Sequence, residues 1–197
     1  MLPLVVRSHE AATSAVLTRL SEADRTRLAG LSGNAAAAFL AGRDALLAAA
    51  DAAAPDGRGI GDARIDATCP DCGGSHGRPY LLGRPDIHLS LTHAAGFAFA
   101  VVAAGPVGID AEPLDTDPAR VAAAAFLTPG HGDALRRWTA IEAVLKADGR
   151  GLRVDPAAVR IEAGSAVLDG TRYRVRSRRL HGCLVTTAQA LSAGSRV

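Results

Sequence analysis

Lysine is nearly absent from this sequence. Of the 22 lysine and arginine residues, Lys146 alone is a lysine. A chain so biased toward arginine has little reason to keep a lysine that serves only as a positive charge. Lysine offers a compact ammonium that reaches a single point, whereas arginine offers a wide, permanently charged fork. We therefore expect Lys146 to have a role that arginine cannot fill.

Aromatic residues and cysteines are also few. Four phenylalanines, two tyrosines and one tryptophan leave alanine, leucine and valine to fill the core, and 48% hydrophobic residues suffice for one domain or two small ones. Three cysteines are an odd number, which argues against a secreted disulfide framework. The net charge of +2 is too small to indicate a nucleic-acid partner.

Several common sequence signals are missing. The apolar run in residues 1–7 is too short for a signal peptide or a membrane helix, so we expect a cytoplasmic protein with no membrane partner. The sequence contains no P-loop, no dinucleotide fingerprint and no Gly-x-Ser-x-Gly elbow.

The pattern of predicted elements favours an α+β fold with mostly antiparallel sheets. Helices and strands are mixed without a regular βαβ alternation. A break at residues 104–106 divides the chain into halves 1–104 and 105–197. Helices are predicted at 21–53, 118–125 and 133–148. Ser21 is the expected cap of the first range, in which Asn34 could begin a second helix. Thr128 and Pro129 are a possible earlier start of the last helix. Strands are predicted at 87–91, 97–103, 107–112, 159–161, 166–168, 171–178 and 183–188, and residues 54–79 are predicted to be loop.

Three carboxylates and Lys146 suggest a phosphate-transfer site. Asp110 and Glu112 lie two apart on a predicted strand and so project to one face. Glu142 and Lys146 lie four apart on a predicted helix, where the alternative is a surface salt bridge worth about 0.3–0.5 kcal/mol. Carboxylates with substrate phosphates suit Mg²⁺, and an ammonium can stabilise a departing phosphate. The residues therefore predict Mg²⁺-assisted chemistry at a pyrophosphate or phosphodiester.

These residues carry a family resemblance. Segments 108–112 and 138–146 resemble the two signature motifs of 4′-phosphopantetheinyl transferases of the Sfp type, roughly (V/I)G(I/V)DxE and W(S/T/C)xKE(A/S)xxK. Upstream, segment 77–79 resembles the GKP or GRP segment of the family, and segment 89–93 resembles its (F/N)xSHS segment. Ile141 departs from the pattern, because the family has lysine before the glutamate.

The resemblance implies both a fold and an activity. The fold is a pseudo-dimer of two similar α/β halves, with residues 1–104 on the adenosine and 3′-phosphate side of coenzyme A and residues 105–197 carrying the metal and catalytic motifs. The activity is Mg²⁺-dependent transfer of 4′-phosphopantetheine from coenzyme A to a serine of an apo acyl or peptidyl carrier protein, with release of 3′,5′-ADP. Such carriers serve fatty-acid, polyketide or nonribosomal-peptide synthesis, and the transferase is expected to be a monomer.

The resemblance also assigns roles to individual residues. The metal ligands are expected to be Asp110, Glu112 and Glu142, and the catalytic residues Glu142, as base toward the serine, and Lys146. The residues expected to bind coenzyme A are Arg43, Arg78, Thr92, His93, Asp110 and Lys146.

Other interpretations stay open at this point. The same three carboxylates would serve a Mg²⁺-dependent nucleotide or phosphodiester hydrolase, and a relative that only binds coenzyme A or a carrier would retain the fold. The arginines at 172, 174, 176, 178 and 179 are a candidate carrier-binding patch or simply a solvated strand face.

A cysteine-containing loop lies just before segment 77–79. Cys69, Cys72 and His76 supply three possible zinc ligands, whereas a closed structural site has four. From the sequence we favour a glycine-rich loop with free thiols over a zinc site.

Overall fold

The computed structural model describes residues 2–11, 15–54, 59–69, 71–128, 130 and 132–191. The chain forms two compact units, Met1–Ala104 and Gly105–Val197. Both contain helices and a five-stranded antiparallel sheet, which confirms the predicted α+β class.

The first unit packs one long helix on its sheet. Its helices are α1 (Ala15–Thr18), α2 (Glu22–Ala29) and α3 (Gly33–Ala53), and a 3₁₀ turn covers His9–Ala11. Its strands are β1 (Leu4–Ser8), β2 (Ile65–Asp66), β3 (Tyr80–Leu81), β4 (His88–Ala94) and β5 (Phe97–Ala103). Alanines and leucines on the buried side of α3, such as Ala45 and Leu46, pack with Leu89 and Val102 of the sheet. Alanine and leucine therefore build this core, as the scarcity of aromatic residues predicts.

The second unit has the same plan. Its helices are α4 (Pro118–Leu127) and α5 (Ala134–Asp148), with 3₁₀ turns at Gly151–Arg153 and Pro156–Ala158. Its strands are β6 (Val107–Pro113), β7 (Arg160–Glu162), β8 (Ser165–Leu168), β9 (Thr171–Leu180) and β10 (Cys183–Ala190). Val144 and Leu145 of α5 pack with Leu168 and Tyr173 of the sheet.

The two sheets repeat one strand order. In the first unit the order is β1-β5-β4-β3-β2, and in the second it is β6-β10-β9-β8-β7. In both, the first strand pairs with the last, and the remaining strands follow as an antiparallel meander. No internal sequence repeat is obvious that would have predicted this shared strand order.

Local signals explain the best-predicted elements. Asp133 caps α5 by accepting a hydrogen bond from the Arg136 backbone N–H, and Gly149 ends it with φ of 92°. Glycine favours this left-handed conformation, which most residues avoid. Ser21 likewise caps α2 by accepting from the Asp24 N–H, as predicted. Asp169 and Gly170 both have positive φ in the tight turn between β8 and β9.

Three local predictions were wrong, and a fourth was too short. Asn34 lies inside α3, which begins after Ser32. Thr128 caps the C-terminus of α4, and Pro129 lies outside the described residues. Residues 54–79 contain the short strand β2, which pairs with β3. The strand predicted at 87–91 is confirmed as β4, which extends further than predicted, through Thr92 and His93 to Ala94.

No helix within the described ranges is long and apolar enough to cross a membrane.

Candidate active site

The close packing of α5 on β6 sets the geometry of the second unit's polar site. A Cβ atom at Gly108 would overlap the carbonyl oxygen of Ala143 and lie 2.6 Å from the Ala147 nitrogen. Glycine at this position thus lets the helix backbone approach the strand directly. Because alternate strand residues share a face, Asp110 and Glu112 lie on the same side as Gly108, toward α5.

Lys146 and Asp110 form the central ion pair. The Lys146 Nζ donates to Asp110 Oδ1 at 2.6 Å, and the aspartate side chain is only 8% exposed. Lys146 lies one residue before Ala147, which packs over Gly108, so the helix register brings its ammonium to this carboxylate. The predicted convergence of Asp110 with Lys146 is therefore confirmed.

Glu112 has a partner that the sequence did not indicate. The Arg120 Nη2 donates to Glu112 Oε1 at 2.8 Å, with the carboxylate 7% exposed and the guanidinium 65% exposed. Arg120 lies in the first turn of α4, eight residues after Glu112 and across a turn. No helical or strand spacing links the two residues, so only the three-dimensional structure reveals the pair.

Glu142 lies within electrostatic reach of the other three groups. Burial raises the pKa of the Glu142 carboxyl, and the negative charges of Asp110 and Glu112 raise this pKa further, while Lys146 lowers it. The net direction is upward, because desolvation and like charges both disfavour the ionised form. The second unit therefore brings Asp110, Glu112, Glu142 and Lys146 into one electrostatic cluster.

The carboxylates do not form a tight donor triad as they stand. Among the described residues, the group whose donor atoms all lie within 4.8 Å of one another is Cys69, Cys72 and His76. Lys146 and Arg120 instead hold the carboxylates of Asp110 and Glu112. The donor chemistry nevertheless fits Mg²⁺, since all three side chains offer hard oxygen ligands and their mutual repulsion would be relieved by a cation. The metal assignment stays a prediction.

A buried hydroxyl chain lies beside Asp110. Thr186 of β10 is directly opposite Asp110 in the sheet. Its Oγ1 lies 2.8 Å from Thr139 Oγ1 of α5 and 2.9 Å from Ser177 Oγ of β9. These hydrogen bonds join the helix to two strands, so they fix α5 over the sheet next to the carboxylates.

Ile141 is buried at the position where the resembled motif has lysine. Its side chain is 4% exposed and belongs to the core that α5 forms with the sheet. Lysine at this position would leave its ammonium in an apolar core. Lys146 is therefore the residue that supplies an ammonium group to the cluster.

The predicted coenzyme A residues of the first unit do not form one cluster. His93 is exposed, lies over Gly42 of α3 and hydrogen-bonds to His9 Nε2 through its Nδ1 at 3.1 Å. Thr92 is buried and, as the adjacent strand residue, points to the opposite face. Arg78 lowers the pKa of His88 together with burial, which is the larger cause, so Arg78 lies near the start of β4. His88 and His93 are separated by about 17 Å of strand.

Arg43 occupies a structural position. Its Nε and Nη2 donate to the two carboxylate oxygens of Asp24 at 2.6 and 2.7 Å, and the guanidinium lies 4.8 Å from the centre of the Phe39 ring. Both charged side chains are at most 5% exposed. This buried pair joins α2 to α3, which suits a structural role better than the predicted contact with a phosphate.

The loop before Arg78 brings together the cysteine and histidine side chains. Cys72 Sγ lies 3.0 Å from His76 Nε2. The backbone N–H groups of Asp71 and Cys72 hold the pKa of the Cys69 thiol below its usual value. Cys69 is buried, whereas Cys72 and His76 are exposed.

No family model matches the sequence, and no curated protein matches it.

Proposed function

We propose that the protein is a 4′-phosphopantetheinyl transferase of the Sfp type, which modifies a serine of an apo carrier protein with phosphopantetheine from coenzyme A. The observation that carries the proposal is the cluster of three carboxylates and the lone lysine on β6 and α5. The strand order repeated in the two units supports the pseudo-dimeric fold that the resemblance implies.

The cluster offers the chemistry that this transfer needs. Asp110, Glu112 and Glu142 would hold Mg²⁺, which would offset the negative charge of the coenzyme A pyrophosphate. Glu142 would act as the general base: burial and the charges of Asp110 and Glu112 raise its pKa, and a bound cation would offset this shift and keep the carboxylate ionised to accept a proton. Lys146 has three N–H donors, and the two that do not go to Asp110 in the ion pair can hold a phosphate oxygen.

The reaction balances with these residues. The carrier serine Oγ forms a bond to the phosphorus that bears the pantetheine arm, and Glu142 accepts the serine proton. The bond between this phosphorus and the oxygen bridging to 3′,5′-ADP breaks, and 3′,5′-ADP leaves with the bonding electrons. Lys146 stabilises the charge that develops on the leaving phosphate, as positive groups do in phosphoryl transfer.

One incubation separates this function from its rivals. The protein is mixed with coenzyme A, Mg²⁺ and apo acyl or peptidyl carrier proteins, and the carrier mass and the nucleotide products are measured. A carrier that gains phosphopantetheine supports transfer. Cleaved coenzyme A with an unmodified carrier identifies a hydrolase. If coenzyme A stays intact and the carrier stays unmodified, the protein is a binding protein without this activity.

Replacing Lys146 by arginine tests why the chain keeps one lysine. The wider guanidinium can still pair with Asp110, but it cannot place a compact charge at the same point. We expect kcat to fall about 10- to 100-fold with little change in the unfolding midpoint. Full activity of the arginine variant would show that positive charge alone is needed there.

Exposed arginines on β9 are the proposed carrier-binding patch. Arg174, Arg176 and Arg178 alternate with Tyr173 and Val175, which pack toward α5, so the arginines share the opposite face. Arg172 is instead paired with Glu162. A basic row of this kind complements an acidic carrier helix.

Reversing one charge in this patch tests the carrier assignment. We expect Arg176→Glu to raise the KM for an acidic carrier about tenfold and to leave the KM for coenzyme A unchanged. The control is Arg25→Glu on α2, which is also an exposed arginine but lies outside the patch. Equal effects of the two substitutions on the carrier KM would show that this patch is not the carrier-binding surface.

A further inference from the structure

The loop of residues 67–78 gathers two sulfur ligands and one nitrogen ligand. The Sγ atoms of Cys69 and Cys72 and a ring nitrogen of His76 all lie within 4.8 Å of one another. The Cys72 sulfur and the His76 Nε2 are only 3.0 Å apart. Three donors that converge to this extent are already close to the separation that a single coordinated ion requires.

The backbone of the loop is arranged around the sulfur atoms. The Cys69 N–H donates to the Gly74 carbonyl at 2.7 Å, and the Gly73 N–H donates to the Cys69 carbonyl at 2.9 Å. Gly73 has a φ of 70°, a conformation that favours glycine. The Gly74 N–H then points at the Cys72 sulfur at 3.4 Å. N–H groups directed at sulfur stabilise thiolate, the form that binds metal.

The loop also returns on itself at its ends. The Gly77 N–H donates to the Ala67 carbonyl at 2.7 Å, and a Cβ at Gly77 would lie 2.6 Å from the Thr68 carbonyl oxygen. Cys69 and Cys72 therefore lie on the outgoing side of the loop, and His76 lies on the returning side. An ion bound by all three would connect the two sides immediately before Arg78.

We propose that Cys69, Cys72 and His76 bind one Zn²⁺ ion. Thiolate and imidazole are ligands of zinc, whereas Mg²⁺ takes oxygen. The nearby Asp71 carboxylate adds a negative charge that favours a cation. The exposure of Cys72 and His76 leaves a fourth coordination position open to water or to another ligand. The three ligands belong to the first unit and the carboxylate cluster belongs to the second, and the proposal does not depend on the proposed transferase activity.

A disulfide between Cys69 and Cys72 is the competing use of the two thiols. It would leave the histidine without a function, although His76 Nε2 already contacts the Cys72 sulfur. Zinc accounts for all three side chains and for the N–H groups around them. Both thiols are free in the structure.

Direct metal binding tests this proposal. The reduced full-length protein is loaded with Zn²⁺, passed over a chelating resin and assayed for metal, and Co²⁺ is used in parallel as a spectroscopic probe. We expect one equivalent of zinc per chain and a thiolate-to-cobalt charge-transfer band. The proposal would be overturned if the protein kept no zinc and gave no such band. It would also be overturned if the protein contained a Cys69–Cys72 disulfide and bound metal no better once reduced.

Variants assign the ligands. Cys72→Ser should reduce the thiolate–cobalt band by half or abolish it. His76→Gln should weaken zinc binding by more than the about 10- to 100-fold that is lost when a residue hydrogen-bonded to a metal ligand is replaced. Because His76 is exposed, its substitution leaves the core of the unit intact. The matched control is Cys183→Ser, which removes the cysteine of the other unit and should retain the full equivalent of zinc. Unchanged zinc affinity in His76→Gln, or zinc lost only in Cys183→Ser, would contradict the assignment.

Discussion

Replacing Glu142 by glutamine is expected to reduce carrier modification at least about 100-fold. The amide keeps the size of the side chain but cannot accept the serine proton as a base, and it is a far poorer ligand for Mg²⁺. The measurement is the rate at which the carrier gains phosphopantetheine with saturating coenzyme A.

In the absence of Mg²⁺, the same substitution should make the protein more resistant to unfolding at pH values above the unfolded pKa of glutamate. The pKa of Glu142 is raised in the folded state, first by burial and then by Asp110 and Glu112. A raised pKa means that the protonated carboxyl stabilises the fold below the unfolded pKa, and that this contribution is lost as pH rises through the folded value. Above that pH the charged carboxylate is a cost, which neutral glutamine removes.

Two comparisons make this result specific. Glu10→Gln, which neutralises an exposed glutamate of the first unit, should change neither activity nor unfolding. Mg²⁺ should raise the unfolding temperature of the wild type more than that of Glu142→Gln, because ligands that bind the folded state stabilise it. Unchanged turnover of the glutamine variant would remove Glu142 from both proposed roles.

Replacing Gly108 by alanine is expected to destabilise the second unit by about 3 kcal/mol or more. The added methyl would overlap the Ala143 carbonyl and approach the Ala147 nitrogen, both of which belong to helix backbone. Backbone cannot rotate away as a side chain can, so α5 has to move from β6. That movement would also separate Lys146 from Asp110.

Chemical denaturation followed by the fluorescence of Trp138 on α5 measures this effect. The matched control is Gly105→Ala, three residues earlier, where a Cβ meets no atom within 4 Å and the backbone is not left-handed. The control should change the free energy of unfolding by less than about 1 kcal/mol. Equal stability of the two variants would mean that α5 does not pack on Gly108 as described.

Much of the second unit could be predicted because its signals are local. The ends of α5 follow from Asp133 and Gly149, and the shared face of Asp110 and Glu112 follows from the two-residue period of a strand. The ion pair of Lys146 needed one further step, the assumption that α5 packs on β6. Gly108 supplies the physical reason for that packing.

The missed features depend on contacts between distant parts of the sequence. The short strand β2 is too brief to show a period and exists because it pairs with β3. Arg120 reaches Glu112 across a turn, and Arg43 is committed to Asp24 across nineteen residues. The approach of His76 to Cys72 likewise requires the loop to fold back through Gly77. Sequence spacing alone favoured free thiols, and the convergence of the three side chains is the basis of the proposed zinc site.

The stoichiometry of the reaction decides whether the protein transfers phosphopantetheine. Apo carrier protein, coenzyme A and Mg²⁺ are incubated with the protein, and the carrier mass and the released nucleotide are quantified together. We expect each carrier to gain one phosphopantetheine on a serine for each 3′,5′-ADP released, and we expect Glu142→Gln to form both products at least about 100-fold more slowly. Intact coenzyme A beside unmodified carriers, or coenzyme A cleaved without carrier modification, would contradict this expectation.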